Sequence, residues 1–425
     1  MSSASLLVAA CSGDDITEGP ADSGIESDSS FTGDGSIPGD SSTPTDGATE
    51  DAGVARPPWT LLSMNYKTES DMAAFSLDAG AVDGVLTYPG SIGLTSLTAE
   101  GPWLLEQSKD LVVKLDPSAP WRGGASWNVH GTEDAGAGLP YADPYQVVLG
   151  PAGKAYVPRF NRNALAVIDT TQNGDASAPT KLVDLSQFLE SGDEDGNVDM
   201  VGGVYVASQH RVYVLLASFD LYLTDPVGYF TVCGSFHSKL VAIDTDTDTV
   251  VSPTDAGAPS AVTLPGYNAI ALLPDFARHR LLAVNAGCND EGVPDSGMPG
   301  TLHMREVDAF DLSTGTASKV LDLTGYPSAI ALVDDHTLAL GFDFGFSANL
   351  WDVSTNALGA EIPNAPDVFG YDGQGHLVGA KTDYLADGGM THSIVSVSVA
   401  DGGSTTIAPV PLRSAGFVGA ADFWP

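Results

Sequence analysis

Apolar residues fall on alternate positions in short runs along this chain, and seven of those runs close on an aspartate. They are Ala74–Asp78, Val112–Asp116, Ala166–Asp169, Val241–Asp244, Asp308–Asp311, Asn349–Asp352 and, less cleanly, Val395–Asp401. Alternation of this kind marks a half-buried strand, and a closing Asp can accept hydrogen bonds from the backbone of the turn that follows. The intervals between these aspartates are 38, 53, 75, 67, 41 and 49 residues. Self-similarity at such spacing points to a propeller or another repeat array rather than to separate domains. No long pattern of period 3.6 competes with it, and the 48 glycines suit many short strands joined by turns.

Aligning the runs exposes a longer template: an apolar strand, a polar turn, a second strand, a variable loop, and the strand ending in Asp. Val147–Asp169 shows it most fully, and Leu97–Asp116, Val204–Asp244, Ile270–Asp311, Ile330–Asp352 and Val368–Asp401 are weaker copies. Phe417–Trp424 reads as a first strand with nothing after it. Trp59–Asn65, Asp71–Asp78 and Val82–Tyr88 read as second, third and fourth strands with no first. The expected fold is therefore an all-β, seven-bladed β-propeller over 58–425, with one C-terminal and three N-terminal strands sharing a blade. Closure of this kind removes free sheet edges. Six or eight blades would follow if one copy were miscounted.

The stretch Val147–Asp169 (VVLGPAGKAYVPRFNRNALAVID) resembles the YVTN-type propeller repeat, which runs as an apolar strand, P-x-G-K, Y-V and V-x-V-I-D. The resemblance covers nearly all of 59–425, but its motifs are short and speak to fold more than to function. Some propellers resembling these are calcium-bound lactonases.

At the N-terminus, Val8-Ala9-Ala10-Cys11 resembles the lipobox of bacterial lipoproteins, which makes Cys11 the expected lipidation site. The basic region that normally precedes a lipobox is missing, and a start codon assigned too late is the expected reason. Ser12, not Asp, follows the cysteine. The expected localisation is therefore the outer membrane or cell surface, with the lipid as the only membrane contact. Residues 12–57 carry eleven acidic side chains and one basic one, Arg56, among Ser, Thr, Gly and Pro. A segment so polar cannot bury enough apolar surface to order itself, so it is read as an extended acidic tether.

Net charge is −38. Such acidity argues against nucleic acid as a partner, since that binding rests on Lys and Arg neutralising phosphates. An envelope protein or a glycan is the expected kind of partner, for a monomeric chain.

Candidate chemistry is sparse. There is no G-x-S-x-G, and the eight histidines form no metal-binding pair. Gly192–Asp199 places Asp193, Asp195, Asn197 and Asp199 at every second position, a spacing that can serve Ca2+, or simply an acidic solvated loop. Two long inserts, Ser218–His237 and Asn285–His303, fall between second and third strands of neighbouring repeats, and so on the face that carries the blade-to-blade connections. They hold Cys233 and Cys288, which form a disulfide there or remain two buried thiols. Asp290 and Glu291 are on the same face, as are Tyr229 and Phe344. Arg159, Asn161 and Arg162 crowd another such loop, where the arginines can bind a carboxylate or phosphate or pair with nearby acids. The reading is an envelope lipoprotein acting as a binding or interaction module. The alternative is a calcium-assisted propeller hydrolase or lactonase.

Overall fold

The computed structural model describes residues 59–65, 70–76, 81–88, 93–131, 141–172, 175–193, 195–219, 236–254, 257–289, 302–342, 347–384, 390–409 and 417–424. Six stretches of chain each fold into an antiparallel blade, with their strands laid side by side in chain order. The first blade holds Gly93–Thr98, Gly101–Glu106, Leu111–Asp116 and Ala119–Asn128, and the second Val148–Leu149, Lys154–Val157, Ala164–Asp169 and Lys181–Asp184. The third holds Met200–Val206, Arg211–Leu216, Lys239–Asp244 and Thr249–Val251. The fourth is Ala269–Asp275, Arg280–Asn285, Glu306–Asp311 and Ala317–Asp322. The fifth is Pro327–Asp334, Thr337–Phe342, Ser347–Asp352 and Ala357–Pro363. The sixth is Val368–Tyr371, His376–Tyr384, Met390–Ser398 and Ser404–Pro409.

A further sheet joins the two ends of this region. Phe417–Trp424 pairs with Trp59–Asn65, which pairs with Ser70–Ser76 and through it with Ala81–Tyr88. Its register sets Trp59 opposite Trp424 and Asn65 opposite Phe417. The one-plus-three strand pairing is the one expected from the incomplete templates at the chain ends. The first strand of each unit contacts its counterpart in the next between second and third, third and fourth, and fifth and sixth blades. Phe417–Trp424 makes the same contact with the sixth blade on one side and the first on the other. This is an all-β propeller.

The hydrophobic cores lie between blades, because each strand turns alternate residues to opposite faces of its sheet. Trp103, Val112 and Trp127 of the first blade pack with Ala155, Val157, Ala166 and Ile168 of the second. Leu165 and Val167 pack with Val212, Val214 and Ile243, and Tyr213 and Leu215 in turn with Leu272 and Phe310. Each fully buried Val or Leu contributes roughly 1.5–3 kcal/mol. Trp127 adds a directional tie, its indole N–H donating 3.0 Å to Asp169 O on the next blade.

The strand-ending aspartates do what their position implies. The Oδ1 atoms of Asp116, Asp169, Asp244, Asp311, Asp352 and Asp401 accept the amides of Ser118, Thr171, Asp246, Ser313, Ser354 and Gly403, at 2.7–3.1 Å. These hydrogen bonds hold all six carboxyls below the ordinary range, Asp352 at about 2. The turn face also stitches blades together. Lys154 Nζ of the second blade lies 2.9 Å from both Asp248 oxygens at the third blade's turn, and Tyr156 Oη donates to the same carboxylate.

Candidate functional site

The opposite face, which carries the blade-to-blade connections, is built from a repeated polar joint. In four blades the residue just before the third strand accepts, through its carbonyl, the amide that follows the strand paired with the start of that third strand, Ala261–Thr263 in the case of the third blade. The pairs are Asp110 with Val129, Asn163 with Leu185, Ser238 with Leu264 and Arg305 with Leu323, at 2.7–2.9 Å. The side chain at that position then reaches the connection to the next blade. Asp110 Oδ1 takes the amide of Ala142, Asn163 Oδ1 that of Val198 and Ser238 Oγ that of Ala269. Each connection enters its blade through a left-handed residue, Asp143, Asp199 or Asn268, at φ 59, 52 and 51°. Asp and Asn tolerate this conformation better than other side chains bearing a Cβ. Their carbonyls accept the amides of Phe160, Ala217 and Ala286.

This joint accounts for several residues singled out in the sequence. Asp199, read as a calcium ligand, is 1 % exposed, and its carboxylate accepts the Phe219 amide at 2.7 Å. Asp193 and Asp195 accept the amides of Gly196 and Asn197, and the Asn197 side chain donates to Asp195 O. Asp193, Asp195 and Asn197 thus serve local turns, and Asp199 a blade entry. Among the described residues, no group of three or more His, Cys, Asp and Glu could hold a metal ion. Asp199→Ala should therefore destabilise the fold by about 1–3 kcal/mol, because it strands a buried amide. Asp195→Ala, on a half-exposed turn, should cost well under that; urea unfolding of both variants checks the contrast.

The arginine loop is likewise corrected from a ligand-binding surface to interior structure. Arg159 is fully buried, and donates from Nε to Ala164 O at 2.7 Å and from Nη1 to Val129 O at 3.0 Å. Arg162 is 7 % exposed and donates to Asn161 O, while the Asn161 amide donates to Ala142 O. These guanidinium groups donate to carbonyls of the framework. Cys288 is buried at the start of a two-residue strand paired with Leu302–His303. Cys11, Cys233, Tyr229, Asp290, Glu291 and Phe344 lie outside the described residues.

A constellation that sequence reading passed over lies between the third and fourth blades. On the strand Glu306–Asp311, Val307 and Ala309 pack toward the fifth blade, and Phe310 packs toward Tyr213 of the third. Glu306 and Asp308 share the face of Phe310, where an apolar side chain would be expected, and are 4 % and 0 % exposed. Asp308 Oδ2 accepts the Gly266 amide at 2.8 Å and Asn285 Nδ2 at 2.9 Å. Beside them His237 Nδ1 lies 2.9 Å from Pro265 O, to which it can only donate, and Nε2 lies 3.0 Å from Tyr267 Oη. That pairing engages both ring nitrogens of His237.

Burial raises Glu306 to about 7, with the Asp308 carboxylate adding to the effect and Lys319, at 3.8 Å, opposing it. Burial also raises Asp308, against the hydrogen bonds from Gly266 and Asn285. The visible signal in the sequence was Glu306-Val307-Asp308, two acids at strand period inside an otherwise apolar run. A second acid pair sits at the first connection, where burial and then the Asp110 carboxylate push Asp143 up to about 7. Asp110 itself is held by the Ala142 amide and by His130 Nδ1 at 3.0 Å.

No family model matches the chain, and no curated protein matches it. Among solved structures it is similar to a putative 6-phosphogluconolactonase from Bacteroides fragilis. That likeness has a TM-score of 0.54 at 13 % identity, over 89 % of this chain and 100 % of that one. It is also similar to the β-propeller domain of Cps50 (Swd1) from Myceliophteria thermophila, at TM-score 0.48 and 12 % identity, over 86 % and 93 % of the two chains. AztD from Citrobacter koseri follows at TM-score 0.46 and 10 % identity, over 87 % and 99 %. Likeness at such identity concerns the fold alone, because propellers carry many unrelated functions.

Proposed function

We propose that this chain is an envelope lipoprotein whose propeller, of the YVTN type and with seven blades, acts as a binding module through its connection face. In this reading the sheet that joins both chain ends is the seventh blade, Cys11 carries the lipid and 12–57 is the spacer. The supporting observation is the repeated joint on that face. Its buried polar groups are committed to holding the connections rigid, and the two longest inserts hang from this frame. A fixed frame carrying variable loops is the usual arrangement of a recognition surface. A Cys233–Cys288 disulfide would brace the inserts; Cys288 is fully buried. The partner is an envelope protein or a glycan, met by a monomer.

Two measurements test this reading. Metabolic labelling with a palmitate analogue in a bacterial host should mark the chain expressed behind a complete signal peptide, and Cys11→Ser should abolish the label. Replacing residues 220–235 by a short Gly-Ser bridge should eliminate binding to a glycan array or to purified envelope proteins without lowering the melting temperature. Labelling that survives Cys11→Ser would remove the anchor, and binding that survives the replacement would remove that insert from the working face. The second reading, a calcium-assisted lactonase, has in its favour the likeness to a putative 6-phosphogluconolactonase. Calcium-dependent turnover of 6-phosphogluconolactone would put it in place of the module.

A further inference from the structure

We propose that Glu306, Asp308 and Asn285 form a site for a hard divalent cation, such as calcium, in the seam between the third and fourth blades. The inference starts from oxygen atoms that the protein leaves unsatisfied. Asp308 Oδ2 is saturated by Gly266 N and Asn285 Nδ2, yet its Oδ1 is buried with no hydrogen-bond partner. The same is true of Asn285 Oδ1, on a side chain that is 0 % exposed. The orientation of that amide is set by its N–H donating to Asp308, so its carbonyl oxygen is the end left over. Buried polar atoms in native proteins nearly always have partners, and unsatisfied ones call for an explanation.

Both unsatisfied atoms are acceptors, and Glu306 adds two more carboxyl oxygens on the same strand face. The two basic side chains nearby already have other partners. His237 is committed to Pro265 O and Tyr267 Oη. Lys319 stands 3.8 Å from Glu306 with a side chain 46 % exposed, and it also bonds Asp322 at 2.8 Å. Carboxylate and amide oxygens are the ligands that calcium prefers, with water completing its shell.

The close approach of the connection is also built in. A Cβ on residue 266 would fall 2.4 Å from Asn285 Cγ and Nδ2, so only glycine lets this backbone press on the amide and still donate to Asp308. This site differs from the 193–199 loop, whose carboxylates already accept backbone amides.

Calcium titration of the whole chain, by calorimetry and by thermal melting after EDTA treatment, tests the site. At pH 7.5 the expected result is saturable binding with a rise in Tm. Glu306→Gln, isosteric with the protonated acid, should weaken binding by about tenfold or more. Asp308→Asn should do the same if it folds, and Asp193→Asn with Asp195→Asn should leave binding unchanged. The proposal is overturned if no binding is seen up to about 10 mM calcium, well beyond the weakest protein calcium sites. It is also overturned if Glu306→Gln binds as the parent does, or if only the loop variants lose binding.

Discussion

Arg159→Leu is expected to lower the free energy of unfolding by about 3 kcal/mol, from two carbonyls losing their donors at once. Arg159 Nε serves Ala164 O within the second blade, while Nη1 reaches Val129 O where the first blade ends. Leucine removes the charge, so no unpaired cation is left behind, but the Val129 carbonyl is left at a buried contact and that of Ala164 at a partly buried one. Each desolvated acceptor then costs on the order of 1–3 kcal/mol. Arg159→Lys should fall between wild type and leucine, because a single ammonium on a flexible stem cannot reproduce a planar fork that bonds in two directions. Urea unfolding at neutral pH measures both. A leucine variant within 1 kcal/mol of wild type, a difference small against a lost buried hydrogen bond, would mean that this guanidinium does not hold the two blades together.

What the sequence made readable was local. Asp169 and Asp352 close alternating runs, and their carboxylates cap the turn two residues on, an interaction contained within three residues of chain. The sharing of one sheet by both chain ends was also legible, since an unfinished template at each end leaves strands that must pair somewhere. Arg159, by contrast, looks like a loop arginine, and its interior role depends on Val129, a residue thirty positions away on another blade. Asp199 has a role of the same kind. Alternate acids left a calcium loop or an acidic solvated loop open; the chain turns left-handed at Asp199, and its carboxylate accepts the Phe219 amide. The clue at Glu306 and Asp308 was present as polarity at strand period. Its meaning required knowing that this face packs against a neighbouring blade, which no local pattern states.

The same acid pair gives the molecule an unusual pH profile. In the unfolded chain Glu306 titrates near its ordinary value of 4.5, and in the fold burial and Asp308 hold it at about 7. Asp143 moves in the same direction, from 3.8 to about 7. Between those values the native state binds more protons than the unfolded one, so stability must fall as pH rises. The loss runs from about pH 5 to 8, and for Glu306 it amounts to about 2 kcal/mol once solvent screening is allowed for. The strand-ending aspartates act oppositely. Their lowered values give stability that is present above the ordinary carboxyl range and is lost only as pH drops toward about 2, where Asp352 titrates. Calcium-free unfolding should therefore be hardest in mildly acid solution and easier at pH 8, the reverse of a protein limited by ionised salt bridges. Glu306→Gln keeps the neutral hydrogen-bonding shape at every pH, so it should flatten the decline, leaving the part due to Asp143. A variant whose stability still falls as steeply as the parent's would show that Glu306 is not the group responsible. Calcium supplied at pH 8 provides the charge that the departing proton leaves unbalanced. It should restore the parent's stability while leaving the glutamine variant nearly where it was.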